Sequence, residues 1–80
     1  MSLPKKMSKL YAKPILKEWR ENKGYTQQEM VGLFSIETDK DVAMSTYQKW
    51  EQGTLNLTPD NALELSRFTR IAIQDLVERK

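Results

Sequence analysis

The sequence predicts a compact all-α domain of five helices, and three observations predict it. Apolar residues recur at three- and four-residue spacing in successive stretches of the 80-residue chain. Residues that start and stop helices bound those stretches: Pro14 and Pro59 in first turns, Thr26 and Thr58 as caps, Gly24 and Gly53 as stops. No alternation of apolar and polar residues is long enough for a useful strand. Eighty residues make one domain, with a single small core near the lower limit of what folds without disulfides or metals.

The first helix is predicted at 14–23. Proline at its first position loses nothing by lacking an N–H. Ile15, Leu16 and Trp19 share one face, and Gly24 fits the left-handed stop. The second helix is predicted at 27–35. It opens on Thr26-Gln27-Gln28-Glu29, a capping box, with Tyr25 and Met30 spaced as a hydrophobic staple. Met30, Val31, Leu33 and Phe34 form its apolar stripe. Residues 36–43 are polar and without period, so they read as loop, with Asp39 or Asp41 available to cap the third helix.

That third helix is predicted at 44–52, with Met44, Tyr47 and Trp50 on one side and Gly53 as its stop. A linker, 54–57, leads to Thr58-Pro59, a cap and a first-turn proline. Ala62, Leu63, Leu65 and Phe68 come next in a fourth helix at 59–68. Ile71, Ile73, Leu76 and Val77 belong to a last helix at about 73–79. The expected core is Trp19, Leu33, Phe34, Tyr47, Trp50, Leu63, Leu65 and Phe68. No repeat or low-complexity segment interrupts this order.

Composition excludes several function classes. With no cysteine there is neither a disulfide nor a thiolate zinc site. With no histidine there is no Ser-His-Asp triad, no HExxH zinc chemistry and no histidine pH switch. No apolar run is long enough to span a membrane, and the first residues lack the apolar centre of a secretory signal. The expected compartment is the cytoplasm. Glu37, Asp39 and Asp41 are clustered but lack the ligand pattern and glycine of a calcium loop, so they read as a solvated loop.

The formal charge of +2 is unevenly spread. Residues 1–25 carry seven basic and two acidic groups, and residues 26–80 carry six basic and nine acidic ones. A basic front on a mildly acidic body fits a polyanion partner. Residues 1–13 are expected to form a flexible basic arm and 14–80 the folded domain. Lys5, Lys6, Lys9 and Lys13 then lie along a nucleic-acid backbone, enter a minor groove, or form a tail without a defined site.

Two segments are more specific. Residues 26–34, TQQEMVGLF, and residues 45–53, STYQKWEQG, resemble the two halves of the helix-turn-helix of Cro/C1-type (XRE family) repressors. ILKEWRENKG at 15–24 resembles that family's first helix, and TPDNALELSRF together with IAIQDLV its fourth and fifth. The resemblance covers about residues 14–78, with the motif at about 26–53. It implies a lambda-repressor-like DNA-binding domain. Two departures stand out: about six extra residues between the motif helices, within 35–41, and Val31 with Gly32 where the family usually has a small residue.

A helix that crosses the DNA backbone aims N–H groups and a short polar side chain at phosphate from its N-terminus, and Gln27 fits. A helix in the major groove needs polar side chains near its own N-terminus with apolar ones behind. Met44, Ser45, Thr46, Gln48 and Lys49 can face the groove while Tyr47 and Trp50 anchor the core. Gln48 suits adenine and Lys49 suits guanine O6 and N7. Ser45 and Thr46 suit a base, a phosphate or a cap, and Met44 a thymine methyl or the core. Gln52, Thr54 and Asn56 are placed for phosphate. Glu51 is expected to pair with Arg20 or Lys23. Ile73, Leu76 and Val77 are the expected dimer surface, unless they only close the core.

The expected function is therefore that of a sequence-specific transcriptional regulator, a repressor that occludes an operator as a homodimer on double-stranded DNA. The alternative is an antitoxin of the same fold that binds a toxin protein and represses its own operon. No catalytic constellation supports an enzyme, and no cofactor is called for.

Overall fold

A computed structural model of the chain describes residues 9–80. Its elements run in the order β1 (Leu10–Ala12), α1 (Ile15–Lys23), α2 (Gln27–Thr38), α3 (Met44–Gln52), α4 (Pro59–Thr69), α5 (Ile73–Leu76) and β2 (Val77–Arg79). The described part is thus mostly helical with a small two-stranded sheet, and not strictly all-α. Among the described residues no helix is long and apolar enough to cross a membrane.

Local chemistry sets most helix ends. The Glu29 amide donates to Thr26 Oγ1 at 3.0 Å, and the Thr26 amide donates to Glu29 Oε1 at 2.8 Å. This reciprocal pair satisfies two donors that the first turn of α2 would leave open. Thr58 Oγ1 accepts from the Asn61 amide at 3.1 Å and starts α4, with Pro59 in its first turn. Gly24 and Gly53 end α1 and α3 at φ of 77° and 76°, a left-handed conformation that costs glycine nothing.

α1 and α4 differ by one residue from the sequence expectation, α1 starting at Ile15 with Pro14 as its cap and α4 ending at Thr69, and three differences are larger. α2 continues to Thr38, because Ser35, Ile36 and Glu37 contain no breaker and Thr38 Oγ1 donates to the Phe34 carbonyl at 2.7 Å. The loop before α3 is therefore 39–43. α5 stops at Leu76, and Val77–Arg79 runs as a strand instead of a last turn of helix. The third difference concerns the expected arm. Leu10–Ala12 pairs antiparallel with Val77–Arg79, Leu10 opposite Arg79 and Ala12 opposite Val77. The far edge of β1 is met by Leu57, whose amide donates to the Leu10 carbonyl at 2.7 Å. Ala12, Leu57 and Val77 are all buried here, and the ladder pairs backbone groups that burial would otherwise leave unmatched.

The core joins all four longer helices. Leu16, Met30, Phe34, Tyr47, Trp50, Ala62, Leu65 and Leu76 are buried. An aromatic series crosses it edge to face: Trp50 to Phe34 at 6.4 Å, Phe34 to Phe68 at 5.8 Å, and Phe68 to Trp19 at 5.7 Å. Such edge contacts add to area burial and lock α3, α2, α4 and α1 in one arrangement. Two expected core residues lie elsewhere. Leu63 is on the outer side of α4, 45% exposed, and Leu33 is half-buried outside the core.

Candidate nucleic-acid interface

α3 is held by its inner face. Tyr47 and Trp50 are buried, and their rings meet at 6.1 Å. The opposite face presents Ser45, Lys49 and Gln52, all exposed and spaced four and three residues apart. One row to the side lie Met44, Gln48 and Glu51, of which Gln48 and Glu51 face Gln27 at the start of α2.

There a chain of polar side chains links three helices. Arg20 of α1 donates from Nε to Glu51 Oε2 at 2.7 Å and from Nη2 to Oε1 at 3.2 Å, a forked ion pair. Its Nη1 donates to the Tyr25 carbonyl at 2.8 Å. Gln27 Nε2 donates to Glu51 Oε1 at 3.1 Å, and Gln27 Oε1 accepts from Gln48 Nε2 at 3.4 Å. Of the two cations expected for Glu51, Arg20 is the partner.

Both charges are almost out of water, their side chains 10% and 3% exposed. Burial alone pushes the Glu51 carboxyl up, but the hydrogen bonds from Arg20, the neighbouring Tyr47 hydroxyl, the Gln27 amide and the Arg20 charge outweigh it and hold the group below the usual carboxylate range. The hydrogen bond to Glu51 likewise raises the Arg20 guanidinium above its ordinary value, against the opposing effect of burial. Tyr47 lies beside the same carboxylate, near enough for its buried hydroxyl to favour the ionised form of Glu51, but short of full hydrogen-bond geometry. Burial, with the negative charge of Glu51, pushes that phenol well above its ordinary range.

The other expected site residues fall into groups. Gln27 is half-buried at the capped N-terminus of α2, beside the α3 row. Thr46 is half-buried. Thr54 serves the end of α3, its amide and hydroxyl donating to the Lys49 carbonyl at 3.1 and 3.4 Å. Asn56 is half-buried. Lys9 is exposed, whereas Lys13 is half-buried and reaches the Gln74 carbonyl from Nζ at 3.3 Å. Lys13 is thus tied to α5 and is no part of a loose arm. Lys5 and Lys6 lie outside the described residues. Of the expected dimer surface, Leu76 is fully buried and Val77 is 8% exposed, because both are taken up by the core under β1 and α1. Ile73 alone of the three remains half-exposed.

Sequence reasoning missed two features. The Glu51–Gln27–Gln48 link joins residues 21 to 24 positions apart, which only helix packing brings together. A shallow groove of about 320 Å³, lined by Tyr25, Glu29, Gly32, Leu33 and Ile36, runs along the outside of α2. Its signal was present: Met30, Val31, Leu33, Phe34 and Ile36 spread apolar character too widely for one buried stripe.

No protein-family model, no curated protein and no solved structure matches the chain. Among the described residues no group of three or more acidic side chains is disposed to hold a metal ion.

Proposed function

We propose that the protein is a sequence-specific DNA-binding regulator of the Cro/C1 (XRE) type, a repressor that acts by occluding its operator. One observation carries the reading. The exposed strip Ser45–Lys49–Gln52, with Met44 beside it, stands on a helix whose inner face is fully anchored and whose flank is bonded to the N-terminus of α2. That is the disposition a major-groove helix needs beside a helix whose N-terminus addresses phosphate.

In this reading the first free amides of α2 and the remaining N–H of the Gln27 side chain meet a phosphate. Lys49 reads guanine, and Ser45 and Thr46 contact a base or the backbone nearby. Gln48 is held by Gln27 and keeps one N–H and its carbonyl oxygen for adenine. A dimer on two half-sites uses Ile73 and the outer edge of β2 in place of the buried Leu76 and Val77.

The test is selection of bound duplexes from a random pool. A near-palindromic enriched motif is expected. No enrichment, at salt low enough to retain weak electrostatic binding, overturns the reading. A second reading, an antitoxin of the same fold, is favoured by the apolar groove on α2, where Ile36 is 79% exposed. Co-purification of a small partner lost on Ile36→Glu, with DNA binding intact, is its signature.

A further inference from the structure

Three large apolar side chains are exposed among the described residues: Ile36, Leu63 and Met44. Only Met44 lies on α3, at its first residue and 37% exposed. The sequence leaves two uses for it, packing into the core or contact with a ligand. Its exposure leaves room for the second. Met44 is outside the buried core and keeps 37% of its surface open, more than its half-buried neighbours Val42 and Leu55. Its neighbours on the outward side are polar: Ser45 beside it, Gln48 one turn on and Lys49 beyond. A single flexible, polarisable apolar group thus stands at the leading end of a polar strip.

The major groove offers one apolar group on a base edge, the methyl at C5 of thymine. We infer that Met44 reads a pyrimidine C5-methyl group, so that the protein senses the methyl itself and not only the hydrogen-bonding edge of the base. This rests on the DNA-binding reading above and names what one position of the site recognises. It has a chemical corollary. 5-Methylcytosine carries its methyl at the same ring atom, so methylation of a cytosine placed there restores part of the affinity that a thymine-to-cytosine change removes.

The experiment uses the enriched duplex pool copied twice, once with thymidine triphosphate and once with deoxyuridine triphosphate. Deoxyuridine removes the methyl and keeps every hydrogen-bonding atom. Affinities of the wild-type chain, Met44→Ala and Met44→Leu are measured on both. The wild type is expected to bind the uracil pool about fourfold more weakly per half-site, the effect of one buried methyl. Met44→Ala is expected to bind the two pools equally, and Met44→Leu to keep most of the difference. The comparison between variants cancels any general effect of uracil on duplex shape. Equal wild-type affinity for both pools overturns the inference while leaving DNA reading intact, as does full uracil sensitivity retained by Met44→Ala. A pool that never enriches overturns the DNA reading and this inference together, and that is seen before any uracil is introduced. Melting temperature checks folding, and Met44, lying outside the core, is expected to change it little.

Discussion

Arg20 and Glu51 meet at 2.7 Å across 31 positions of sequence, and they join the first helix to the third through an ion pair that is nearly dry. Such a pair is costly to form and more costly to break, since removal of one partner strands the other charge. Glu51→Gln is expected to destabilise the fold by about 3 kcal/mol. The sign of the pH effect comes from the depressed carboxyl. In the unfolded chain Glu51 takes up its proton near 4.5, whereas in the folded chain it does so lower. The contribution is complete above the unfolded value and is lost as pH falls through the folded one. Urea unfolding of wild type and variant is expected to converge as pH drops below about 4.5, and parallel curves would remove Glu51 as the source of that acid sensitivity.

Tyr47 has the opposite sign. Its hydroxyl is buried without a full hydrogen bond and its loss also removes a group that favours ionised Glu51, so Tyr47→Phe is expected to change stability by no more than about 1 kcal/mol. The wild-type phenol ionises later when folded than when unfolded, so its stability falls as pH rises past 10. The phenylalanine variant is expected to lack this part of the alkaline loss, which thermal melts between pH 8 and 11 would reveal.

Asp39 and Arg70 hold φ of 58° and 62° at the ends of α2 and α4. A left-handed conformation costs a residue with a Cβ roughly 1 kcal/mol. Asp39→Gly and Arg70→Gly are therefore expected to raise the melting temperature by a few degrees each, in contrast to glycine substitutions within the helices.

Gln27 and Gln48 share one amide contact, while Lys49 on the neighbouring row does not touch it. In DNA binding, Lys49→Ala is expected to cost about 1–3 kcal/mol and to relax base preference. Gln27→Ala and Gln48→Ala are expected to be non-additive, because each removes the support of the other. Additive losses would show that the contact does not position Gln48.

Removal of residues 1–12 tests what the front of the chain does. It takes away Leu10 and buried Ala12 and leaves β2 and Leu57 unpaired. A loss of roughly 2–4 kcal/mol in urea unfolding is expected from the exposed apolar area. A flexible arm would instead leave stability untouched and alter only the salt dependence of DNA binding.

The residues differ in how far their places could be read from sequence. The end of α3 was legible to the residue, because Gly53 stops it and Tyr47 and Trp50 set its period, whereas its start at Met44 has no side-chain cap to mark it. The capping box at Thr26 was legible because its two bonds are local. The sheet was not. Leu-Tyr-Ala and Val-Glu-Arg are too short to show alternation, and their pairing depends on a partner at the other end of the chain. Val77 also fits a helical spacing from Ile73, so the pattern alone continued α5. At the candidate site the outward residues came from helix geometry. That Gln48 leans on Gln27, and that Met44 stays out of the core, depend on how α3 packs against α1 and α2.

The sheet has one more consequence. Lys9 and Lys80 exchange backbone hydrogen bonds at 3.3 and 3.0 Å, so the two ends of the described chain lie side by side. A short peptide in place of residues 1–8 could join them and close the backbone into a ring. The ring could then be opened at Asp41, an exposed position between α2 and α3, without cutting any helix. Such circularly permuted chains are tolerated where ends meet at the surface and the new break falls in an exposed loop. In this protein the order in which the helices are synthesised is separable from the order in which they pack. The part of the chain bearing α3 could come first without changing what it stands on.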